Sequence, residues 1–288
     1  MFSIGKRTLP VLDAFALGTV RYAFGVVLFV LLLYAVEGRR ALRYEGRFVP
    51  AAGAGLLGIA GFNLCVWIGL VYTLPEHASI ILALQTPLTA LAVWLTRGQR
   101  PAAFTLGCVG VAIAGVLLVV TRGDPARVIA SAGDGGALFG DLLVLLGAIC
   151  WVGYTLSAAR FFLSWSPLRF TVLTCIPGFG GLVLAHAIAL ALGAATLPTL
   201  AGMAEVAWQI AYFAICSVVL GVLSFNAATR RLGPLNTMLM LNMVPIGVFA
   251  IEAGLGRSFS AAEIAGALTV IAALAANNLY LRGVSTRR

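Results

Sequence analysis

Residues 81–101 read ILALQTPLTALAVWLTRGQRP and combine an apolar run with a central proline and a short turn rich in Gly and Arg. Residues 238–260, MLMLNMVPIGVFAIEAGLGRSFS, repeat this arrangement, so that Pro87 corresponds to Pro245. Both copies lead into a further apolar run that is rich in Gly and Ala. Such self-similarity over a long segment predicts that the chain contains two structural repeats.

The composition around these segments points to a membrane. The chain has 288 residues, of which 61% are hydrophobic and only 10% are charged, and its mean hydropathy is +1.03. A soluble domain carries about 25% charged residues, so soluble enzymes, disordered chains, collagen-like repeats and disulfide scaffolds are excluded. Nine apolar runs are long enough to span a bilayer: Leu12–Val36, Phe48–Pro75, Ala78–Thr96, Pro101–Thr121, Leu142–Ala159, Phe170–Gly193, Val206–Thr229, Leu232–Ile251 and Ile264–Leu281. Because lipid offers no hydrogen bonds to the backbone, these runs are predicted to be helices.

The basic residues predict the orientation of the spans. Thirteen of the 19 Lys and Arg residues fall in alternate loops, and Arg21 lies inside a run. The other side carries five: Lys6, Arg7, Arg122, Arg127 and Arg257. An excess of Lys and Arg marks the cytoplasmic side, so the C-terminus is expected in the cytoplasm. The arginines are scattered between apolar runs rather than gathered on one face, which argues against a nucleic-acid partner.

Each repeat is predicted to contain five helices, which inserts the two halves with opposite orientation. Residues 1–121 form the first repeat, residues 122–139 a connecting loop and residues 140–288 the second repeat. We expect the first helix of the first repeat to be cut off in this chain, leaving a stub at Met1–Arg7. Inverted repeats are typical of secondary transporters, whose substrate site lies near the midplane between the repeats.

Four segments carry a resemblance to a known family. They are LPVLDAFALGTVRY at 9–22, LQTPLTALAVWL at 84–95, GDLLVLLGAICWVGYTLSAAR at 140–160 and LNMVPIGVFAIEAGLG at 241–256. With them the chain resembles the EamA-type exporters of the drug/metabolite transporter superfamily, which have ten helices in two five-helix repeats. Within that family it is most similar to bacterial amino-acid exporters, including the exporters of aromatic amino acids.

Two features depart from the family pattern. An acidic residue often follows the Pro-containing helix, and it is present as Glu252 but absent around residues 94–98. The second departure is the first helix of the first repeat, which we expect to be missing from this chain.

The resemblance implies an all-α polytopic transporter in the bacterial inner membrane, exporting small amphipathic metabolites by alternating access. Amino acids, including aromatic ones, are the expected substrates, and the protein is expected to act as a monomer without cofactor or metal. Cationic drugs or other metabolites are the alternative substrates. A channel-like subunit and an intramembrane enzyme are the remaining alternatives. Sugar phosphates are disfavoured, because a phosphate cavity needs several Lys or Arg and only Arg21 lies within a span.

Arg21 is the first candidate for substrate binding. A charge inside the bilayer costs at least about 2.5–3.5 kcal/mol unless it faces a partner or a wet cavity. Arg21 could therefore bind a substrate carboxylate, or it could only bond helix carbonyls or pair with Asp13 or Glu252.

Other candidates are uncharged. The polar residues within spans that could bond a substrate are Asn63, Gln85, Asn226 and Asn242. The aromatic residues that could stack on an apolar substrate are Trp67, Tyr72, Trp151 and Tyr154. For all of them helix packing is the alternative, with interhelical hydrogen bonds worth about 0.6 kcal/mol each. Pro87 and Pro245 are predicted hinges, since proline removes a backbone hydrogen bond and kinks a helix.

The acidic residues do not predict proton coupling. Asp13, Asp141, Glu205, Glu252 and Glu263 all fall near helix ends, so a facilitative uniporter stays open. His77 is expected to be a loop or interface histidine. The GxGxxG pattern at Gly53, Gly55 and Gly58 lies in an apolar run without a preceding strand, so it predicts a close-packing face rather than a dinucleotide site.

Overall fold

The computed structural model describes residues 1–98, 102–124, 136–241 and 243–285, and in these residues all regular structure is helical. We number the helices α1 to α10; α4 is divided into segments a and b at Leu84, and α9 is described in two segments, a and b, on either side of residue 242. They are α1 Phe2–Thr8, α2 Ala14–Glu37, α3 Phe48–Tyr72, α4a Pro75–Ala83, α4b Gln85–Arg97, α5 Ala103–Thr121, α6 Ala137–Phe161, α7 Pro167–Ala191, α8 Ala207–Leu232, α9a Pro234–Leu241, α9b Met243–Gly254 and α10 Ala261–Ser285. Two short helices, Arg39–Leu42 and Leu200–Glu205, lie in the connections.

Helices α2 to α8 are long and apolar enough to cross a membrane, which makes seven candidate spans among the described residues. The predicted eighth and ninth spans lie in α9 and α10, whose apolar stretches among the described residues are Val244–Gly254 and Ala261–Asn277. The all-α polytopic prediction is therefore confirmed, with seven of the nine predicted spans present as long apolar helices among the described residues. Several predicted boundaries shift by a few residues; α4a, for example, begins at Pro75 and includes Glu76 and His77. Proline suits the first position of a helix, where no backbone N–H is needed.

Asp13 begins α2 as its N-cap. Its Oδ1 accepts hydrogen bonds from the backbone N–H of Phe15 at 2.9 Å and of Ala16 at 2.8 Å. Its Oδ2 accepts from the backbone N–H of Thr196 at 2.8 Å, in the connection between α7 and α8. Asp13 therefore satisfies backbone donors that a helix start leaves unpaired, and the alternative that it pairs with Arg21 is not realised.

The core of the bundle lies between helices of the two halves, α1–α5 and α6–α10. Helix α5 packs on α10, α3 on α6, α2 on α7 and α8, α4a on α9b, and α4b on α9a. At the α5–α10 crossing, a Cβ on Gly115 would lie 2.9 Å from the carbonyl oxygen of Gly266, and one on Gly266 would lie 2.7 Å from that of Gly115. Small residues let the two backbones approach this closely.

The GxGxxG residues belong to a similar contact. A Cβ on Gly55 would collide with the backbone of α7 at Thr174, and one on Gly58 with the ring of Tyr154. Gly53 faces open space. The predicted packing face is therefore confirmed for two of its three glycines.

Irregular backbone occurs in both halves. Helix α3 contains a π-helical stretch at Leu56–Gly61, and α8 contains one at Phe213–Val222. Helix α4 is interrupted at Leu84, so that segment α4b begins two residues before Pro87. Proline cannot donate to the preceding turn, which accounts for the interruption, and π-helical stretches occur often at functional sites.

Candidate functional site

A cavity of about 270 Å³ lies between the two halves of the bundle. Its wall is contributed by helices of both halves, and most of it is apolar. The lining residues are Met1, Phe2, Arg21, Tyr22, Phe62, Ser79, Leu82, Ala83, Gln85, Trp151, Tyr212, Ser217, Gly221, Val222, Phe225, Leu241 and Val244. Arg21, Gln85 and Trp151 were predicted from the sequence to bind substrate, and the structure brings these three residues to one cavity.

Arg21 is the charged group in this wall, and its residue is only 2% exposed. Its Nη2 donates to Oδ1 of Asn63, and its guanidinium carbon lies 4.8 Å from the ring centroid of Trp67. Asn63 is fixed in turn, because its Nδ2 donates to the carbonyl of Ile59 at 2.5 Å and to the hydroxyl of Tyr22 at 3.3 Å. Among the described residues Arg21 forms no ion pair, and its Nε has no hydrogen-bond partner. The cation is thus held by neutral groups and presents an unmatched charge to the cavity.

Aromatic rings form another part of the cavity wall. The ring of Trp151 lies 4.8 Å from that of Phe62 and 5.0 Å from that of Phe225, measured between centroids. The ring of Tyr154 lies behind it at 5.2 Å. Such tilted contacts fix the orientation of each ring and leave an apolar face toward the cavity.

Asn226 and Tyr154, two further candidates, form a buried hydrogen-bond network beside this wall. Asn226 on α8 donates from Nδ2 to the hydroxyl of Tyr154 and to Oγ1 of Thr171, both at 2.7 Å. The Oδ1 of Asn226 has no hydrogen-bond partner among the described residues. Gln85 is buried at the first position of α4b and reaches the cavity directly.

The remaining candidates are placed differently. Tyr72 is 48% exposed, and its ring makes an edge-to-face contact with that of Phe139, with 5.4 Å between the centroids. The structure therefore does not bring Tyr72 to the cavity. Asn242 lies outside the described residues. Pro87 and Pro245 are buried near the starts of α4b and α9b.

Sequence reasoning missed a cluster of charged residues at one end of the bundle, which we call the His77 end. His77 lies in the first turn of α4a and is only 5% exposed, so it is not a loop histidine. Its Nδ1 lies 3.8 Å from Oδ2 of Asp141, and its Nε2 lies 3.9 Å from Oε1 of Glu263. Glu76 forms an ion pair with Arg257. Asp141, Glu263 and Glu76 all fall on the membrane face to which Lys6, Arg122 and Arg257 were assigned, and this shared face is the signal that could have revealed the cluster.

The opposite end, which we call the Glu45 end, also carries an ion pair between the halves. Arg169 Nη2 lies 2.8 Å from Oε1 of Glu45, and Trp165 donates from Nε1 to Oε2 of the same carboxylate at 3.3 Å. The hydrogen bond from Arg169 holds the pKa of Glu45 below its usual value. Glu45 is 53% exposed, so water shares this carboxylate.

Comparisons with known proteins agree with a membrane transporter. A family model described as the EamA-like transporter family matches residues 1–121 and 138–279. Among curated proteins, an uncharacterized transporter YrdR of Bacillus subtilis strain 168 is 28% identical over 285 residues, covering 98% of this chain and 88% of the relative. The uncharacterized transporter YyaM of the same organism is 28% identical over 272 residues, covering 94% and 86%.

A solved crystal structure of a protein superposes with a TM-score of 0.67 and covers 98% of this chain and 93% of that one. The identity is 18%, so this likeness supports the fold alone.

Proposed function

Because the chain belongs to the EamA-like transporter family, we propose that it is a secondary transporter exporting small amphipathic metabolites across the bacterial inner membrane. Amino acids, including aromatic ones, are the proposed substrates, and alternating access between the two halves is the proposed mechanism. The unmatched cation of Arg21 in an otherwise apolar cavity is the observation that carries the substrate class.

A substrate carboxylate would complete the surroundings of Arg21. A buried cation without a partner is unfavourable in lipid, whereas a charge-assisted pair with a carboxylate offsets its desolvation. Neutral Asn63 and the ring of Trp67 hold the guanidinium in place without neutralising it. An amino acid bound here would direct its carboxylate to Arg21 and its side chain to the rings of Trp151 and Phe225.

The size and charge of the cavity argue against the alternative of cationic drugs. Pockets for drug-sized ligands span about 300–1,000 Å³, and this cavity of about 270 Å³ falls below that range. No carboxylate is among the described residues that line it. A cationic substrate would therefore meet Arg21 without an anionic partner, which favours an anionic or zwitterionic ligand.

The packing of the halves supports the proposed inverted repeat of residues 1–121 and 140–288. Helices that would correspond in such a repeat share one irregularity, the π-helical stretches in α3 and α8. Segment α4a packs on α9b, while α4b packs on α9a, so the two Pro-containing helices run antiparallel. We propose that Pro87 and Pro245 serve as hinges. The excess of Arg at the Glu45 end supports placing that end, and with it the C-terminus, in the cytoplasm.

Counterflow in proteoliposomes tests this proposal. Vesicles holding the purified protein and an unlabelled amino acid are mixed with labelled phenylalanine, tryptophan, leucine or alanine. We expect saturable uptake that is strongest for the aromatic and branched side chains. Arg21→Gln should reduce uptake about 10- to 100-fold, since a charge-assisted hydrogen bond contributes about 1.5–3 kcal/mol. Arg39→Gln, at an exposed position after α2, is the matched control and should leave uptake unchanged.

Each alternative has its own outcome in this assay. If no amino acid exchanges while a cationic compound does, the substrate class is wrong. If the flux does not saturate with concentration, the protein acts as a channel rather than a carrier. If Arg21→Gln folds and exchanges at the wild-type rate, Arg21 does not bind the substrate.

A further inference from the structure

The charged cluster at the His77 end joins the two halves of the bundle. His77 and Glu76 belong to α4a, whereas Asp141 lies in the second turn of α6 and Glu263 in the first turn of α10. Oγ1 of Thr73 also donates to Oδ1 of Asp141 across the same interface. A movement that opened this end would have to break these contacts, so the cluster is placed where a gate would be.

The two ring nitrogens of His77 each face a carboxylate from the other half. Nδ1 points toward Asp141 and Nε2 toward Glu263, at 3.8 and 3.9 Å. Neither nitrogen has a hydrogen-bond partner among the described residues, although the side chain is 94% buried. A neutral imidazole has one N–H, so its other nitrogen would turn a lone pair toward an anion. Only the imidazolium has an N–H on both sides, and this geometry therefore suits the protonated ring.

Among the described residues, two of the carboxylates near His77 have an arginine within 4 Å. Glu76 pairs with Arg257, and Glu263 lies 3.3 Å from both Arg257 Nη2 and Arg122 Nε. Among the described residues, Asp141 has only the hydroxyl of Thr73 and the ring of His77 as side-chain partners.

Two more charged groups approach from the surrounding helices. Lys6 on α1 interacts electrostatically with Glu76, and its ammonium donates to the carbonyls of Leu70, Val71 and Thr73. The negative charge of Glu252 on α9b repels the carboxylate of Glu76. Among the described residues three cations, Lys6, Arg122 and Arg257, thus accompany four carboxylates, and a proton on His77 would supply the fourth positive charge.

We propose that His77 binds a proton when the His77 end is closed, and that this proton stabilises the closed end by bridging Asp141 on α6 and Glu263 on α10. When the proton is lost, two buried carboxylates face a neutral ring, and the end opens. Water can then solvate Asp141, which removes the cost of the unmatched buried anion. The closed state thus binds one proton more than the open state.

The direction of the pH response follows from this difference. Each rise of one pH unit changes the ratio of closed to open molecules by at most tenfold toward the open state. As the His77 end is the outer end under the proposed function, an alkaline exterior would favour the outward-open state.

Distance measurement between spin labels tests the proposal without any substrate. The five cysteines are replaced, and labels are attached through Val71→Cys at the end of α3 and Ser258→Cys between α9b and α10. Double electron–electron resonance of the purified protein, frozen at a series of pH values, gives the populations of short and long distances. In the wild-type background we expect the long-distance population to grow as the pH rises.

Three variants make the result specific. His77→Gln removes the titrating ring and should give populations that no longer depend on pH. Asp141→Asn removes the unmatched anion and should shift the response to lower pH, because the proton is held less tightly. His186→Gln changes the other histidine, whose Nε2 lies 3.3 Å from the carbonyl of Thr196, and should leave the wild-type response intact.

A pH-independent distance in the wild-type background would overturn the proposal, and so would an unchanged response in a folded His77→Gln or Asp141→Asn variant. The inference rests on the proposed function only where it links the opening of the His77 end to transport. If counterflow finds no amino-acid substrate while the distances follow pH as expected, the substrate class fails and the proton site stands.

Discussion

The two ends of the bundle join the same halves with similar chemical groups but in different surroundings. At the His77 end, Glu76 is fully buried beside Arg257, and Asp141 and Glu263 are almost fully buried. At the Glu45 end, the carboxylate that pairs with Arg169 is 53% exposed. Both ends therefore hold ion pairs between the halves, but only at the His77 end are the paired carboxylates buried.

Burial decides what each set of contacts can do. Exposed ion pairs contribute little, because water and salt replace a lost partner at almost no cost. Removing one member of a buried pair costs much more, since the other charge is left without solvent or counter-ion. The His77 end is therefore the strong contact between the halves, and the Glu45 end is the one that thermal motion separates more readily.

Substitution of Arg257 should have the largest effect on stability. Arg257→Gln leaves Glu76 buried without its cation, which we expect to lower the free energy of unfolding by about 3–5 kcal/mol. Arg47→Gln at the Glu45 end removes hydrogen bonds to the carbonyl of Phe161 and to Ser164, and it should change stability by no more than about 0.5 kcal/mol. Thermal denaturation in detergent, followed by intrinsic tryptophan fluorescence, measures both.

The double variant Glu76→Gln, Arg257→Gln separates burial from other effects of the Arg257 change. It removes the anion together with its cation, so it should be more stable than Arg257→Gln alone. Equal losses in Arg257→Gln and Arg47→Gln would contradict the difference between the two ends.

Added methyl groups should reveal the same asymmetry with a smaller effect. A Cβ on Gly140, at the His77 end of α6, would lie 2.7 Å from the carbonyl oxygen of Gly69 and 3.0 Å from the backbone nitrogen of Thr73. Gly140→Ala must therefore separate α3 from α6, and it should destabilise by about 1–3 kcal/mol. Gly153→Ala on the same helix meets only Leu57 Cδ1 at 3.6 Å, an ordinary contact, and should cause no loss. Melting temperatures of the two variants check this, and similar losses for both would contradict it.

The sequence predicted the features of this fold that depend on local pattern. Apolar runs specify the helices α2 to α8, and Pro87 marks where α4b begins. A single arginine inside a run correctly drew attention to Arg21, which the structure places at the cavity between the halves. These properties follow from the hydrophobicity and backbone chemistry of short segments, which need no knowledge of tertiary packing.

The His77 cluster could not be predicted in the same way. Asp141 and Glu263 each lie near the start of a helix, where charged residues are common at a membrane interface. Both are far from His77 in the sequence. Only the packing of α4a, α6 and α10 brings them within 4 Å of one imidazole. Tyr72 shows the reverse case, since an aromatic residue late in a span was expected to face the substrate, and helix rotation turns it outward against Phe139.

Acid should weaken the Glu45 end slightly, which is the smallest effect we expect. The hydrogen bond from Arg169 lowers the pKa of Glu45 in the folded protein below its usual value of 4.5. A carboxyl group whose pKa is lowered by folding stabilises the protein above its unfolded pKa. That contribution is lost as the pH falls from about 4.5 through the lower, folded value.

Glu45→Gln isolates this contribution, because glutamine cannot ionise and stays near the same partners. The difference in melting temperature between wild type and Glu45→Gln should be small at neutral pH and should vanish below the folded pKa of Glu45. Salt should reduce it, since the carboxylate is exposed and its attraction to Arg169 is screened. Arg257→Gln should keep most of its deficit in the same salt, because the buried Glu76 is hardly screened. A large, salt-resistant effect of Glu45→Gln would mean that the Glu45 end is as firmly closed as the His77 end, and the asymmetry between the ends would be lost.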